Sequence, residues 1–147
     1  MFEQVAVGND FPFLLRRSNK GIMHLSNDLQ EALVEIELLG KQLQSDPQAT
    51  DSKILEQLFK WAQDPEPKIV RYAIRALGKG DDPQIEDFLL VLWKENPAIE
   101  EKRVLVEALG KCGSLASLTL LSDLLSHDDQ RIQKLAEQAL FRVQAKQ

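Results

Sequence analysis

IVRYAIRALGKG, residues 69–80, and EKRVLVEALGKCG, residues 101–113, decide the fold when one is laid over the other. Ala76-Leu77-Gly78-Lys79 then falls on Ala108-Leu109-Gly110-Lys111, a step of 32 residues. A third copy, IQKLAEQALFRV from Ile132, carries Ala139-Leu140 in the same register after a step of 31, and a looser early copy ends in Leu39-Gly40-Lys41. Upstream of these pairs, Trp61 and Trp93 are also 32 apart, with Leu125 next in the series. Two different segments repeat together, so the period belongs to a helix pair, the stacking unit of a solenoid, and not to one helix.

Within each copy the apolar residues keep a three-and-four rhythm: Ile69, Tyr72, Ala73, Ala76 and Leu77, then Val104, Leu105, Ala108 and Leu109, then Ile132, Leu135, Ala136, Ala139 and Leu140. That spacing is one face of a helix, and the alternation a strand needs is absent. Cap chemistry falls between the copies. Asp64-Pro65-Glu66-Pro67, Asp81-Asp82-Pro83, Asn96-Pro97 and Ser126-His127-Asp128-Asp129 offer oxygens to orphan amides and prolines to first turns. Gly78 with Gly80, and Gly110 with Gly113, are read as left-handed helix ends. The predicted helices run over 25–43, 51–63, 67–79, 83–95, 98–111, 114–126 and 129–145. Alanines recur at matched positions because a helix between two neighbours needs short side chains where backbones approach.

A helix, a turn with Asp and Pro, then a second helix of the form (I/V)-R-x-A-x-x-A-L-G resembles the HEAT repeat, in particular the short bacterial type of phycobilin lyase-like proteins. The resemblance spans residues 51–144, and 23–43 more loosely. It implies an all-α, right-handed solenoid of about three to three and a half helix pairs over residues 23–147. Residues 1–22 read differently. They hold Phe2, Phe11 and Phe13, and are expected to cap the first pair or to form an arm for a partner or a second copy.

Composition bounds the function. The 147 residues are 44% hydrophobic and 28% charged, which suits one globular domain, and the formal charge of −5 opposes general nucleic-acid binding. No apolar run is long enough to cross a bilayer. The opening MFEQVAVGND lacks the pattern of a secretory signal, and the single Cys112 cannot form an internal disulfide, so a cytoplasmic setting is expected. Catalytic groupings are scarce. His24 and His127 lack metal-ligand neighbours, and Cys112 lies in a glycine turn without a sequence-local base. Asp81-Asp82 and Asp128-Asp129 each precede a helix, where carboxylates cap amides and favour the dipole. No catalytic residue, cofactor or metal is therefore expected.

One pattern rises above that background. Lys68, Arg71, Arg75 and Lys79 line a single helical face; the repeat sets Arg103 and Lys111 beside Arg71 and Lys79, with Glu100 and Glu107 in the other two slots, and the last helix adds Arg131, Lys134 and Arg142 with Gln138 between. In HEAT-like folds the second helix of each pair lines the concave surface, so the resemblance implies a basic groove in an acidic protein. The expected function is a non-enzymatic adaptor or assembly factor that engages an acidic protein surface or peptide through these nine residues. The alternatives are tetrapyrrole handling, as the phycobilin lyase-like resemblance implies, and nucleic-acid binding along the strip. A homodimer through the arm or the solenoid ends also stays open.

Overall fold

A computed structural model describes residues 25–45 and 52–146. Among these described residues seven α-helices follow in order: α1 (Leu25–Ser45), α2 (Ser52–Trp61), α3 (Pro67–Leu77), α4 (Pro83–Lys94), α5 (Ile99–Cys112), α6 (Leu115–Asp123) and α7 (Gln130–Ala145), with a 3-10 turn at Leu124–Ser126. No strand occurs among the described residues. The pairs are α2/α3, α4/α5 and α6/α7, while α1 stands as a second-type helix without a described partner before it. The segment 1–22 lies outside the described residues.

Helix starts follow the expected cap chemistry at most pairs. Glu66 accepts the Lys68 N–H at 3.3 Å, Asp82 the Gln84 N–H at 2.8 Å and Asp129 the Ile132 N–H at 2.9 Å, with Pro67 and Pro83 in first turns. The Asn96-Pro97 reading needs correction. Ala98 is the N-cap of α5 and makes no side-chain bond, while Asn96 holds the left-handed turn after α4 at φ 56°. Asn tolerates that region because its short side chain can bond locally.

The four second-type helices α1, α3, α5 and α7 pack side by side as one layer, and α2, α4 and α6 form the other. Glycine is the reason the first layer is tight. A Cβ added at Gly40 would stand 3.0 Å from the Ala76 Cβ, one at Gly78 3.2 Å from the Ala108 Cβ, and one at Gly110 2.8 Å from both Cα and Cβ of Ala139. The Leu-Gly of each copy thus meets the Ala of the next, backbone against methyl. The sequence-based reading of these glycines as left-handed ends is overturned. No described glycine has positive φ; Gly78 is αR at φ −62° and Gly113 extended at φ −76°, ψ 164°.

In the other layer α2 and α4 meet through long side chains, with the Phe59 and Phe88 rings stacked at 4.4 Å. The HEAT-like resemblance puts the second helix of each pair on the inner face, and α1, α3, α5 and α7 are called the inner helices on that ground. Between the layers runs an apolar core in which Leu58, Ile74, Leu77, Leu89, Leu105, Leu109, Leu121 and Ile132 are all fully buried. Each contributes on the order of 1.5–3 kcal/mol by leaving water. The tryptophan slot grades outward along the chain. Trp61 is buried, Trp93 is half-buried with Lys102 Nζ 5.6 Å from its ring centre, and Leu125 is exposed.

Candidate interaction groove

The inner helices run parallel, which stacks their N-termini along one edge and their C-termini along the other. Acids gather at the first edge: Glu66 and Asp129 as caps, and Glu100 and Glu101 in the first turn of α5. Bases gather at the second, with Arg75 in the last turn of α3, Lys111 in that of α5 and Lys79 just past α3. Both placements suit the helix dipoles. The repeated basic slots are therefore not equivalent, because Arg71 and Arg103, near the N-terminal edge, face acids.

Arg103 lies near that edge. Its Nη2 donates to Asp129 Oδ2 at 2.7 Å, and Asp129 at the same time caps α7. The guanidinium hydrogen bond and the Ile132 amide hold the Asp129 carboxyl below its usual range. Arg103, one of the nine bases expected to meet a partner, has 34% of its side chain exposed and forms a strut between α5 and α7. Arg71, one repeat earlier, is half-buried and acts on Glu101. Burial raises the Glu101 carboxyl, Glu95 raises it further, and Arg71 opposes both. Glu95 and Glu101 line an acidic hollow of about 260 Å³ with Gln63 and Asp64.

At the other edge three of the nine bases converge. Arg75, Lys79 and Lys111 line a hollow of about 290 Å³ together with Ile36, Glu37, Tyr72 and Ala76. Three inner helices build it: α1 supplies Ile36 and Glu37, α3 supplies Tyr72, Arg75 and Ala76 with Lys79 just beyond its end, and α5 supplies Lys111. Ala76 of this lining also meets Gly40 of α1, and the Lys79 ammonium lies 3.6 Å from the point an added Gly40 Cβ would occupy. Arg75, Lys79 and Lys111 are exposed, and none has a carboxylate within 4.0 Å among the described residues. Such a site offers three donors and a tyrosine rim to an anion, with one acid, Glu37, to set register. Lys68, Arg131, Lys134 and Arg142 are exposed on α3 and α7 but do not line this groove.

Other polar residues singled out from sequence serve the frame. Burial pushes the Cys112 thiol up to about 12, so it is a poor nucleophile. His127 Nδ1 accepts the Asp129 N–H at 3.0 Å in the turn before α7; His24 lies outside the described residues. Two ties have no counterpart in the sequence reading. Buried Glu86 accepts from Ser117 Oγ, from the Ser114 N–H at 2.8 Å and from Ser114 Oγ at 2.7 Å, clamping the start of α6. Burial would raise its carboxyl, but these bonds together hold it below the usual range. Lys146 Nζ donates to the carbonyls of Lys111 at 2.7 Å and Gly113 at 3.0 Å, closing the end of α5.

No described helix is long and apolar enough to cross a membrane, and no described cluster of His, Cys, Asp and Glu has the makings of a metal site. The family profile described as HEAT repeats matches residues 55–140, from α2 into α7. The match is to the repeat in general; the narrower likeness to phycobilin lyase-like proteins is not shown. Neither the curated proteins nor the solved structures yield a match.

Proposed function

The chain belongs to the HEAT repeat family, and from that premise we propose that it is a non-enzymatic adaptor whose inner face receives an acidic segment of a partner protein in the groove between α1, α3 and α5. One observation carries the reading: Arg75, Lys79 and Lys111 converge on a single hollow without carboxylate partners, in a chain with a formal charge of −5. Unpaired cations above a backbone contact cost little folding energy and remain available to an incoming anion. Their charge speeds encounter and sets orientation more than it adds affinity. Lys68, Arg71, Arg131, Lys134 and Arg142 belong to the outlying field that steers the partner, and Arg103 is reassigned to structure. A reducing, cytoplasmic setting suits the buried thiol of Cys112.

The test is binding of a fluorescent Glu-rich peptide against a Gln-rich control, at ionic strengths that take the Debye length from about 30 Å to about 8 Å. The acidic peptide should bind wild type at low salt, weaken as salt rises, and lose most of its affinity to the variant Arg75→Glu, Lys79→Glu, Lys111→Glu. A variant reversed at Arg131, Lys134 and Arg142 should keep most of it. Equal binding of both peptides, or equal loss in both variants, contradicts the reading.

A further inference from the structure

The first inner helix breaks the ladder rule. Aligned on Leu39-Gly40-Lys41 against Leu77-Gly78-Lys79, Leu38 of α1 takes the slot of Ala76, which in each later copy receives the glycine of the preceding helix. Leu38 is 55% exposed, and Val34, one turn earlier on the same face, is 49% exposed. These two form an apolar stripe on the open end of the inner layer, flanked by the exposed acids Glu31, Glu35 and Glu37.

Two occupants are excluded by the ladder itself. Another helix in repeat register would need a small residue at position 38, because the glycine contact brings backbones to within the reach of a methyl. A second copy stacked end to end would bring its α7 here, and α7 carries Phe141, 75% exposed, in the slot of Gly78 and Gly110. Leucine against phenylalanine at that position holds the helices apart.

We infer that the end face of α1 at Val34 and Leu38 is the docking site of the chain's own N-terminal segment, residues 11–20. That segment reads FPFLLRRSNK: an apolar stretch from Phe11 to Leu15, then Arg16, Arg17 and Lys20. The pairing matches apolar stretch to apolar stripe and bases to flanking acids. Reach also fits. Leu38 lies about 20 Å along α1 from Leu25 at 1.5 Å per residue, and residues 16–24 extend to about 30 Å at 3.3 Å per residue. Because the segment is tethered beside its site, docking is intramolecular and does not need a large interface. The stripe shares only the flanking Glu37 with the groove, and the inference does not rest on what the groove binds.

The experiment uses the full chain with Leu38→Cys, its native thiol at Cys112 being buried and unreactive. Thiol labelling at position 38 should be about tenfold faster when Phe11→Ser and Phe13→Ser are added, as protection by a docked segment is lost. In a second set, Leu38→Cys is combined with Phe11→Cys, Phe13→Cys or Leu15→Cys and oxidised at low protein concentration. A disulfide within one chain is expected for at least one pair. Equal labelling with and without the phenylalanines overturns the inference, and so does a disulfide that joins two chains, which assigns the stripe to a second copy.

Discussion

Where α5 meets α7, Gly110 lies against Ala139, Arg103 closes on Asp129, and Lys146 caps the carbonyls at the end of α5. Where α3 meets α1 and α5, the same kind of backbone contact is present, yet Arg75, Lys79 and Lys111 stand open over a hollow. The repeat supplies basic slots at both places, and edge position decides their use. Arg103, near the N-terminal edge, finds the capping acid of the next helix and becomes a strut. Near the C-terminal edge Lys146 bonds the carbonyls at the end of α5, whereas Arg75, Lys79 and Lys111 meet no carboxylate and stand open.

The largest expected effect lies in the tied-down half. Gly110→Val puts a side chain 2.8 Å from the Ala139 backbone, where no flexible atom can yield, and should cost about 3 kcal/mol in denaturant melts. Gly78→Ala, which meets the Ala108 methyl at 3.2 Å, should cost about 1 kcal/mol. Equal losses would mean that the two contacts do not differ in tightness. Glu86→Ala falls between these two at about 2 kcal/mol, since it strands the Ser117 hydroxyl and the Ser114 N–H. Glu86 and Asp129 both have lowered pKa values, so their stabilisation is complete above the ordinary values of 4.5 and 3.8 and drains away as pH falls through the lower folded values. Acid melts of Glu86→Gln should therefore be flatter below about pH 4.5 than those of wild type. Glu101 has the opposite sign. Its raised pKa means that ionisation strains the fold as pH rises, and Glu101→Gln should melt slightly higher at pH 7.

The solenoid was legible because a 32-residue repeat fixes helix pairs, caps and the core face together. The glycines were misread because a sequence marks a glycine without saying whether a turn or a neighbouring backbone requires it. Alignment offered the missing clue: each glycine faces the alanine of the following copy. The Arg103–Asp129 tie was not legible because its acid is the cap of the next repeat, 26 residues away. Glu86 left a trace that went unread. Its repeat equivalents are Ile54 and Leu118, and an acid in a slot that is otherwise apolar signals a buried, bonded carboxylate. Lys146 left none, because its targets are backbone carbonyls at the end of another helix.

The central claim, that edge position separates binding bases from structural ones, is tested most directly by two variants carried through the same pair of measurements. Arg75→Glu, Lys79→Glu, Lys111→Glu should melt close to wild type, within about 0.5 kcal/mol per site, and lose the acidic peptide. Arg103→Glu, which sets two acids against each other at the start of α7, should melt distinctly lower and still bind that peptide at temperatures where it is folded. If the groove variant binds as wild type does while Arg103→Glu melts unchanged, the two classes of base are not distinct and the account fails.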